Sequence, residues 1–341
     1  MFFEYHQDVM DSPLWIDKYS PSMGEFPQEE LRYILPKSQE MPINFLLYGP
    51  EGSGKTSAAR IIARGSGVGG DLIEFNISDL VNSSKKEIVE NPLFSGFISS
   101  KKAPSGSKTS LIIHLIKESA SYPPVSGGRK VMILDNFESS QGNFQQALRR
   151  IIEQYHHNTQ FILTTRQLWK VIPAIRSRCY SVSVGGAQDS DMRRIIRNIL
   201  TSEEIEFTED GIEFIVDRAS GDIRSAIMYT QAVAERKGEV TLEGAIEIVR
   251  DVGIEEPIVE LVECSLSGRF ADARSILESL MITSGYSGGE LLEIISKVVK
   301  GRSDVDPIAF ALVLGEIDFN LSKEANSIIH LTHFLTKLGS L

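Results

Sequence analysis

The eight residues Gly49-Pro50-Glu51-Gly52-Ser53-Gly54-Lys55-Thr56 constrain this chain most, because they join the apolar run Ile43 to Tyr48 to the alanine-rich pattern Ser57-Ala58-Ala59-Arg60-Ile61-Ile62-Ala63. A glycine-rich turn ending in Lys-Thr between a strand and a helix is a phosphate-binding loop. Small residues let successive backbone N–H groups converge on phosphate oxygens. Lys55 places a point charge on the β and γ phosphates, and Thr56 offers its hydroxyl to Mg²⁺. The expected nucleotide contacts are therefore Gly49, Pro50, Glu51, Gly52, Ser53, Gly54, Lys55, Thr56 and Ser57, with ATP and Mg²⁺ as the ligands.

A chain of 341 residues with 42 % hydrophobic content supports two or three ordinary globular cores. The start, Met1-Phe2-Phe3-Glu4-Tyr5-His6, has neither a basic region nor a long apolar run, and no later stretch reaches the roughly 18 apolar residues that span a bilayer. A cytoplasmic location and no membrane partner are expected. Cys179 and Cys264 stand far apart with no partners at metal-ligand spacing, so neither a disulfide framework nor a zinc site is supported, and reduced thiols are expected. The net charge of −11 argues against a chain coated in nucleic acid, yet it allows a local basic face inside a larger assembly.

Strand-like runs at Ile43 to Tyr48, Asp71 to Phe75, Lys130 to Leu134 and Gln160 to Thr165 alternate with helical patterns, as in a doubly wound parallel sheet. Between the second and third runs, residues 91–128 read as a loop-bearing, partly mobile insertion with a helical island at Leu111 to Ala120. After Gly185-Gly186 the pattern is entirely helical, through Met192 to Leu200, Ile212 to Ala219, Ile223 to Val233 and Leu242 to Val249. Further helices follow: Glu256 to Leu266, Phe270 to Ile282, Leu291 to Val299 and a final pair ending near Leu338. The expected class is α/β plus all-α: a nucleotide-binding domain at 1–185, a helical lid at 186–252 and a helical assembly domain at 253–341.

The second chemical element is Val131-Met132-Ile133-Leu134-Asp135, an apolar strand ending in a carboxylate downstream of the phosphate loop. That placement makes Asp135 the metal-side partner of Thr56.

Together these residues resemble clamp-loader subunits of the AAA+ superfamily, specifically the small subunit of archaeal and eukaryotic replication factor C. Trp15-Ile16-Asp17-Lys18-Tyr19-Ser20-Pro21 resembles the family's N-terminal box beside the adenine, which brings Tyr19 and Pro21 into the nucleotide site. Phe75-Asn76-Ile77-Ser78-Asp79 and Ala147-Leu148-Arg149-Arg150 resemble further family segments. The Ser-Arg-Cys triplet in Ile175-Arg176-Ser177-Arg178-Cys179 implies that Arg178 acts in trans on a neighbouring subunit's nucleotide. Gly221-Asp222-Ile223-Arg224 is similar to the lid motif whose arginine reaches the phosphates, and Gly268-Arg269-Phe270-Ala271-Asp272-Ala273-Arg274 to the collar that holds the ring together. Glu324-Ala325-Asn326 also fits. The implied partners are large and small clamp-loader subunits in a hetero-oligomer, a pentamer, with the sliding clamp and the backbone phosphates of primer-template DNA. The implied setting is archaeal-type and nucleoid-associated.

Two positions depart from that pattern. Asn136 stands where active relatives carry a glutamate that activates water; an amide binds water without accepting its proton, and losing such assistance costs about 10² to 10⁴ in rate. Glu138 is a candidate substitute. Arg166 replaces a polar asparagine that senses the γ-phosphate, and is expected to contact phosphate in a different way. Lys85 and Lys86 are either a DNA-phosphate site or a solvated pair, and Leu93, Phe94, Phe97 and Ile98 either dock on the clamp or fill the inserted segment. Three readings stay open: an ATP-hydrolysing clamp-loader subunit, a nucleotide-binding stator with little turnover of its own, and another AAA+ machine such as an initiator or helicase loader.

Overall fold

The computed structural model describes residues 13–38, 43–65, 72–91, 94, 106–123, 129–140, 142–252, 255–283, 285–300, 302, 304–321, 323 and 326–340. The chain forms two units, 1–245 and 246–341.

The first unit begins with the short helix α1 (Trp15–Lys18) and α2 (Glu29–Ser38), followed by β1 (Phe45–Tyr48) and α3 (Lys55–Gly65). Then come β2 (Leu72–Asn76), α4 (Ile77–Asn82), α5 (Lys85–Glu90), α6 (Lys108–Ser121), β3 (Lys130–Asp135), α7 (Gly142–Tyr155), β4 (Thr159–Thr165), α8 (Pro173–Arg176) and β5 (Tyr180–Ser183). The five strands lie in the order β2-β3-β4-β1-β5, and every pair is parallel. Parallel strands require crossover helices, and those helices cover both faces, so the strands read as nearly continuous apolar runs. Alternation along each strand sends Leu46, Met132, Leu134, Phe161 and Leu163 to one core and Phe45, Leu47, Val131, Ile133 and Ile162 to the other.

Three expectations change here. The helical island, α6, is no appendage: Leu111, Ile112, Leu115 and Ile116 are buried in the same core as Met132 and Phe161, so it completes the crossover from β2 to β3. Phe94 is likewise buried, stacked on Phe75 with ring centroids 5.7 Å apart, which fits packing rather than docking; Leu93, Phe97 and Ile98 lie outside the described residues. A fifth strand, β5, follows the Ser-Arg-Cys triplet; four residues on a sheet edge carry too little periodicity to announce themselves.

The rest of the unit is mainly helical: α9 (Asp189–Ser202), α10 (Glu209–Ala219), α11 (Ile223–Lys237) and α12 (Leu242–Val252), the last crossing into the second unit. It is not entirely so, because β6 (Glu206–Phe207) pairs in parallel with β7 (Glu239–Val240). Only tertiary packing brings such two-residue strands together. Asp222 caps α11 by accepting hydrogen bonds from the Ser225 N–H at 3.0 Å and hydroxyl at 2.9 Å.

The second unit consists of α13 (Glu255–Leu266), α14 (Phe270–Ile282), α15 (Gly288–Lys300), α16 (Pro307–Leu321) and α17 (Ser327–Leu338). Leu261, Leu277, Leu291, Ile295, Ile317, Leu331 and Phe334 form its core. The expected Glu324 and Ala325 lie outside the described residues, while Asn326 caps α17 through the Ile328 N–H. α16 carries apolar side chains on more than one face: Phe310 and Ile317 are buried, whereas Ile308, Leu312 and Phe319 are exposed, as are Glu316 and Asp318 in its later turns.

Candidate functional site

In a parallel sheet the carboxyl ends of all strands share one edge, and loops there face a common crevice. The phosphate loop leaves β1 at that edge, beside the end of β4, with the Gly49 N–H donating to the Thr165 carbonyl at 3.2 Å. β3 ends there in Asp135, and Arg166 follows the last residue of β4. Residues far apart in sequence thus converge.

Lys55 opens α3 and is buried; its Nζ donates to the Pro50 carbonyl at 2.5 Å, closing the loop on itself. Burial pushes the ammonium below its usual range, and Glu138, Asp135 and Glu51 oppose that shift. The Thr56 hydroxyl lies 3.1 Å from both Asp135 carboxylate oxygens, and the Thr164 hydroxyl donates to the same group. Gly52 has φ +65°, and a Cβ there would lie 1.6 Å from Asp222 Oδ1, so the capped start of α11 sits directly on the loop. Ser53 is buried, and Gly54 also holds a positive φ of 93°.

Arg166 is held from two sides. Its Nε donates to Glu138 at 2.8 Å, its backbone N–H to the same carboxylate at 3.1 Å, and a terminal nitrogen to Glu51 at 2.8 Å. Burial pushes Glu138 up, yet the hydrogen bonds from Arg166 and Thr165 carry it below the usual glutamate range. Asn136 adopts a left-handed backbone, φ 53°, which asparagine tolerates better than most residues. Its amide donates to Asn76 Oδ1 at 3.2 Å.

The other expected residues lie around this cluster or apart from it. Tyr19 donates its hydroxyl to Glu203 at the end of α9 at 2.5 Å, where Lys18 also pairs at 2.6 Å, and Pro21 is half-buried. Ser57 is half-buried in the first turn of α3, and Arg224 is exposed in the first turn of α11. Lys85 Nζ donates to the Gly106 carbonyl, and Lys86 stands 3.9 Å from Glu90, so both lysines have partners within the chain.

Arg178 lies at the opposite edge of the sheet. It precedes β5, whose parallel neighbour β1 begins where the Asn44 amide donates to the Arg178 carbonyl at 3.3 Å. The phosphate loop leaves the far end of β1, four residues or roughly 13 Å on. Arg178 pairs with Glu153 on α7 and donates to the Ala174 carbonyl at 2.6 Å. Burial pushes the adjacent Cys179 thiol up to about 12, so it stays protonated at neutral pH.

One contributor went unforeseen. Gln28 donates through Nε2 to the Ser53 carbonyl at 3.0 Å and to Gly185 at 2.7 Å, linking the phosphate loop to the segment that leads into α9. It borders a cavity of about 310 Å³ lined also by Pro27, Glu29, Arg32, Gly186, Ala187, Gln188 and Asp191. No sequence signal marks a glutamine in a polar run.

A parallel sheet with a phosphate loop, an acid-terminated strand and the start of α11 seated on that loop defines a P-loop ATPase of the AAA class, and residues 45–184 match the ATPase family associated with various cellular activities (AAA). Residues 255–337 match the replication factor C C-terminal domain. The chain is 30 % identical to the replication factor C small subunit of Archaeoglobus fulgidus over 96 % of its length and 98 % of that protein's. It is 31 % identical to that of Sulfolobus acidocaldarius over 96 % and 95 %. The chain belongs to the replication factor C small-subunit family. Its fold is similar to that of the Aeropyrum pernix ORC1 protein in complex with DNA, with TM-score 0.55, 18 % identity and coverage of 88 % and 85 % of the two chains. A Thermotoga maritima RuvB mutant gives TM-score 0.51 at 15 % identity over 83 % and 85 %. Among the described residues no helix is long and apolar enough to cross a membrane.

Proposed function

We propose that this chain is a clamp-loader subunit that binds ATP with Mg²⁺ at the carboxyl edge of its sheet and lends Arg178 to a neighbouring subunit's nucleotide. One observation carries the first half: Lys55, Thr56 and Asp135 converge at the loop, with the Thr56 hydroxyl 3.1 Å from both oxygens of Asp135. A hydroxyl and a carboxylate are hard oxygen donors of the kind Mg²⁺ takes, and together with phosphate oxygens and water they suit its octahedral preference. The ion, when bound, neutralises charge building on the β and γ phosphates. Lys55 and the loop N–H groups hold the phosphates, and Asp222 at the head of α11 brings Arg224 of the lid within one turn of the loop.

The second half is supported by the sheet itself. Because Arg178 stands at the amino edge and the loop at the carboxyl edge, the arginine serves a nucleotide other than its own. A transferred arginine is worth about 10³ to 10⁵ in rate where measured, so assembly and turnover become coupled.

Asn136 and Glu138 favour slow turnover at the chain's own site. The Asn136 amide is tied to Asn76, and Glu138, the candidate base, is engaged by Arg166. The proposed division into nucleotide-binding domain, lid and collar places the boundaries at 185/186 and 252/253. The match of residues 255–337 to the replication factor C C-terminal domain favours a clamp loader over an initiator or helicase loader. The decisive assay reconstitutes the complex with large and small partner subunits and follows loading of the sliding clamp onto primed DNA. Omission of this chain should abolish loading, and unchanged loading without it would sink the proposal.

A further inference from the structure

Arg166 is gripped by two carboxylates of unlike character. The Glu138 side chain is only 5 % exposed and accepts both from Nε and from the Arg166 backbone N–H. The Glu51 side chain is 63 % exposed, accepts one bond from a terminal guanidinium nitrogen, and belongs to the phosphate loop. The two pairs differ in how readily they release. A buried carboxylate stripped of its cation is left uncompensated, whereas an exposed ion pair is worth no more than about a five-fold factor. Glu138 is the fixed anchor, and Glu51 the partner that can leave.

The position of the grip gives it meaning. Arg166 follows β4, between the end of β3 with Asp135 and the end of β1 with the loop. Its charge and that of Glu51 act on the Lys55 ammonium in opposite directions, the guanidinium lowering and the carboxylate raising its pKa, and Glu51 sits in the same loop that Lys55 closes through the Pro50 carbonyl. At Arg166 the Glu51 carboxylate fills the place an anionic ligand would take. A diphosphate ends inside the loop cradle, while a third phosphate extends beyond it toward the ends of β3 and β4.

We propose that Glu51 restrains the site's preference for triphosphate over diphosphate: its carboxylate holds a terminal nitrogen of Arg166 and must be displaced before a γ-phosphate takes its place, while Glu138 keeps Nε. The inference rests on the reading that this loop binds ATP. A diphosphate leaves the Glu51–Arg166 pair closed, and a triphosphate opens it, so the occupancy of Arg166 reports the third phosphate to the loop. Glu51 and Arg166 are a matched pair in this device, and neither works without the other.

The test is calorimetric titration of the full chain with a non-hydrolysable ATP analogue and with ADP, both with Mg²⁺, for wild type, Glu51→Gln, Arg166→Gln and the double variant. Glu51→Gln should tighten the triphosphate analogue about three- to five-fold and change ADP less than two-fold, and the difference should vanish in the Arg166→Gln background. Equal tightening of both nucleotides, no tightening, or selectivity that persists without Arg166 would overturn the proposal and leave ATP binding intact. Failure of the folded wild-type chain to bind either nucleotide would overturn both. If Arg166→Gln does not fold because Glu138 loses its partner, Arg166→Lys replaces it, since lysine keeps the charge but lacks the second guanidinium arm.

Discussion

Residues 1–245 keep their decisive polar groups at the ends of buried strands, where Thr56 pairs with Asp135, Arg166 with Glu138, and Lys55 with the Pro50 carbonyl, whereas residues 246–341 have an apolar interior and let apolar residues continue onto the outside of α16. The first arrangement keeps charges in place for a small anionic ligand. The second leaves Ile308, Leu312 and Phe319 on one exposed helix face at spacings of four and seven, the pattern of a surface that a protein partner covers. Under the proposed function the ligand chemistry lies in the first unit, and the apolar face of α16 in the second is a contact that can be damaged without touching it.

The largest effect expected from breaking this comparison is at Lys55. Lys55→Ala should weaken ATP binding on the order of 100-fold, about 2.7 kcal/mol, in an equilibrium titration, because a charged donor to phosphate disappears. Subunit association in analytical ultracentrifugation should be unchanged. The reverse damage comes from paired Ile308→Glu and Leu312→Glu substitutions, which should weaken association at least about ten-fold while ATP affinity stays within about two-fold. Loss of ATP binding in the α16 variant would merge the two roles.

A smaller effect sharpens the account of the polar edge. Asn136→Glu should destabilise the chain by about 1–2 kcal/mol, lowering the midpoint of thermal unfolding, because glutamate tolerates a φ of 53° poorly and the bond to Asn76 is lost. Asn136→Gly should be near neutral. This separates the conformational role of the residue from any role in activating water. The smallest effect concerns pH. Glu138 is held below its ordinary value of 4.5, so its contribution to stability is complete above that pH and is lost as pH falls through the lower folded value. Denaturant midpoints should therefore fall less steeply below about pH 4.5 in Glu138→Gln than in the wild type.

The parts of this site that are local in sequence were legible from sequence. The loop and Asp135 follow from residue types needed at fixed spacing after apolar runs, and the long helices follow from periodicity. The grip on Arg166 was not legible, since Glu51, Glu138 and Arg166 meet only because β3, β4 and β1 lie side by side. Gln28 was hidden for the same reason: its targets are carbonyls at positions 53 and 185. The left-handed turn at Asn136 recasts a residue singled out for a missing acid as one suited to its backbone. β5 and the β6–β7 pair are too short to carry a periodic signal.

The central claim is that the two edges of one sheet serve two different nucleotides, the chain's own at Lys55 and a neighbour's at Arg178. The most direct test is steady-state ATP turnover by the reconstituted complex carrying Arg178→Ala, measured beside ATP binding by the isolated variant chain. The account predicts a loss of turnover on the order of 10³ at the neighbouring site, with the variant's own ATP affinity unchanged. Undiminished turnover, or loss of the isolated chain's own ATP binding, would contradict it.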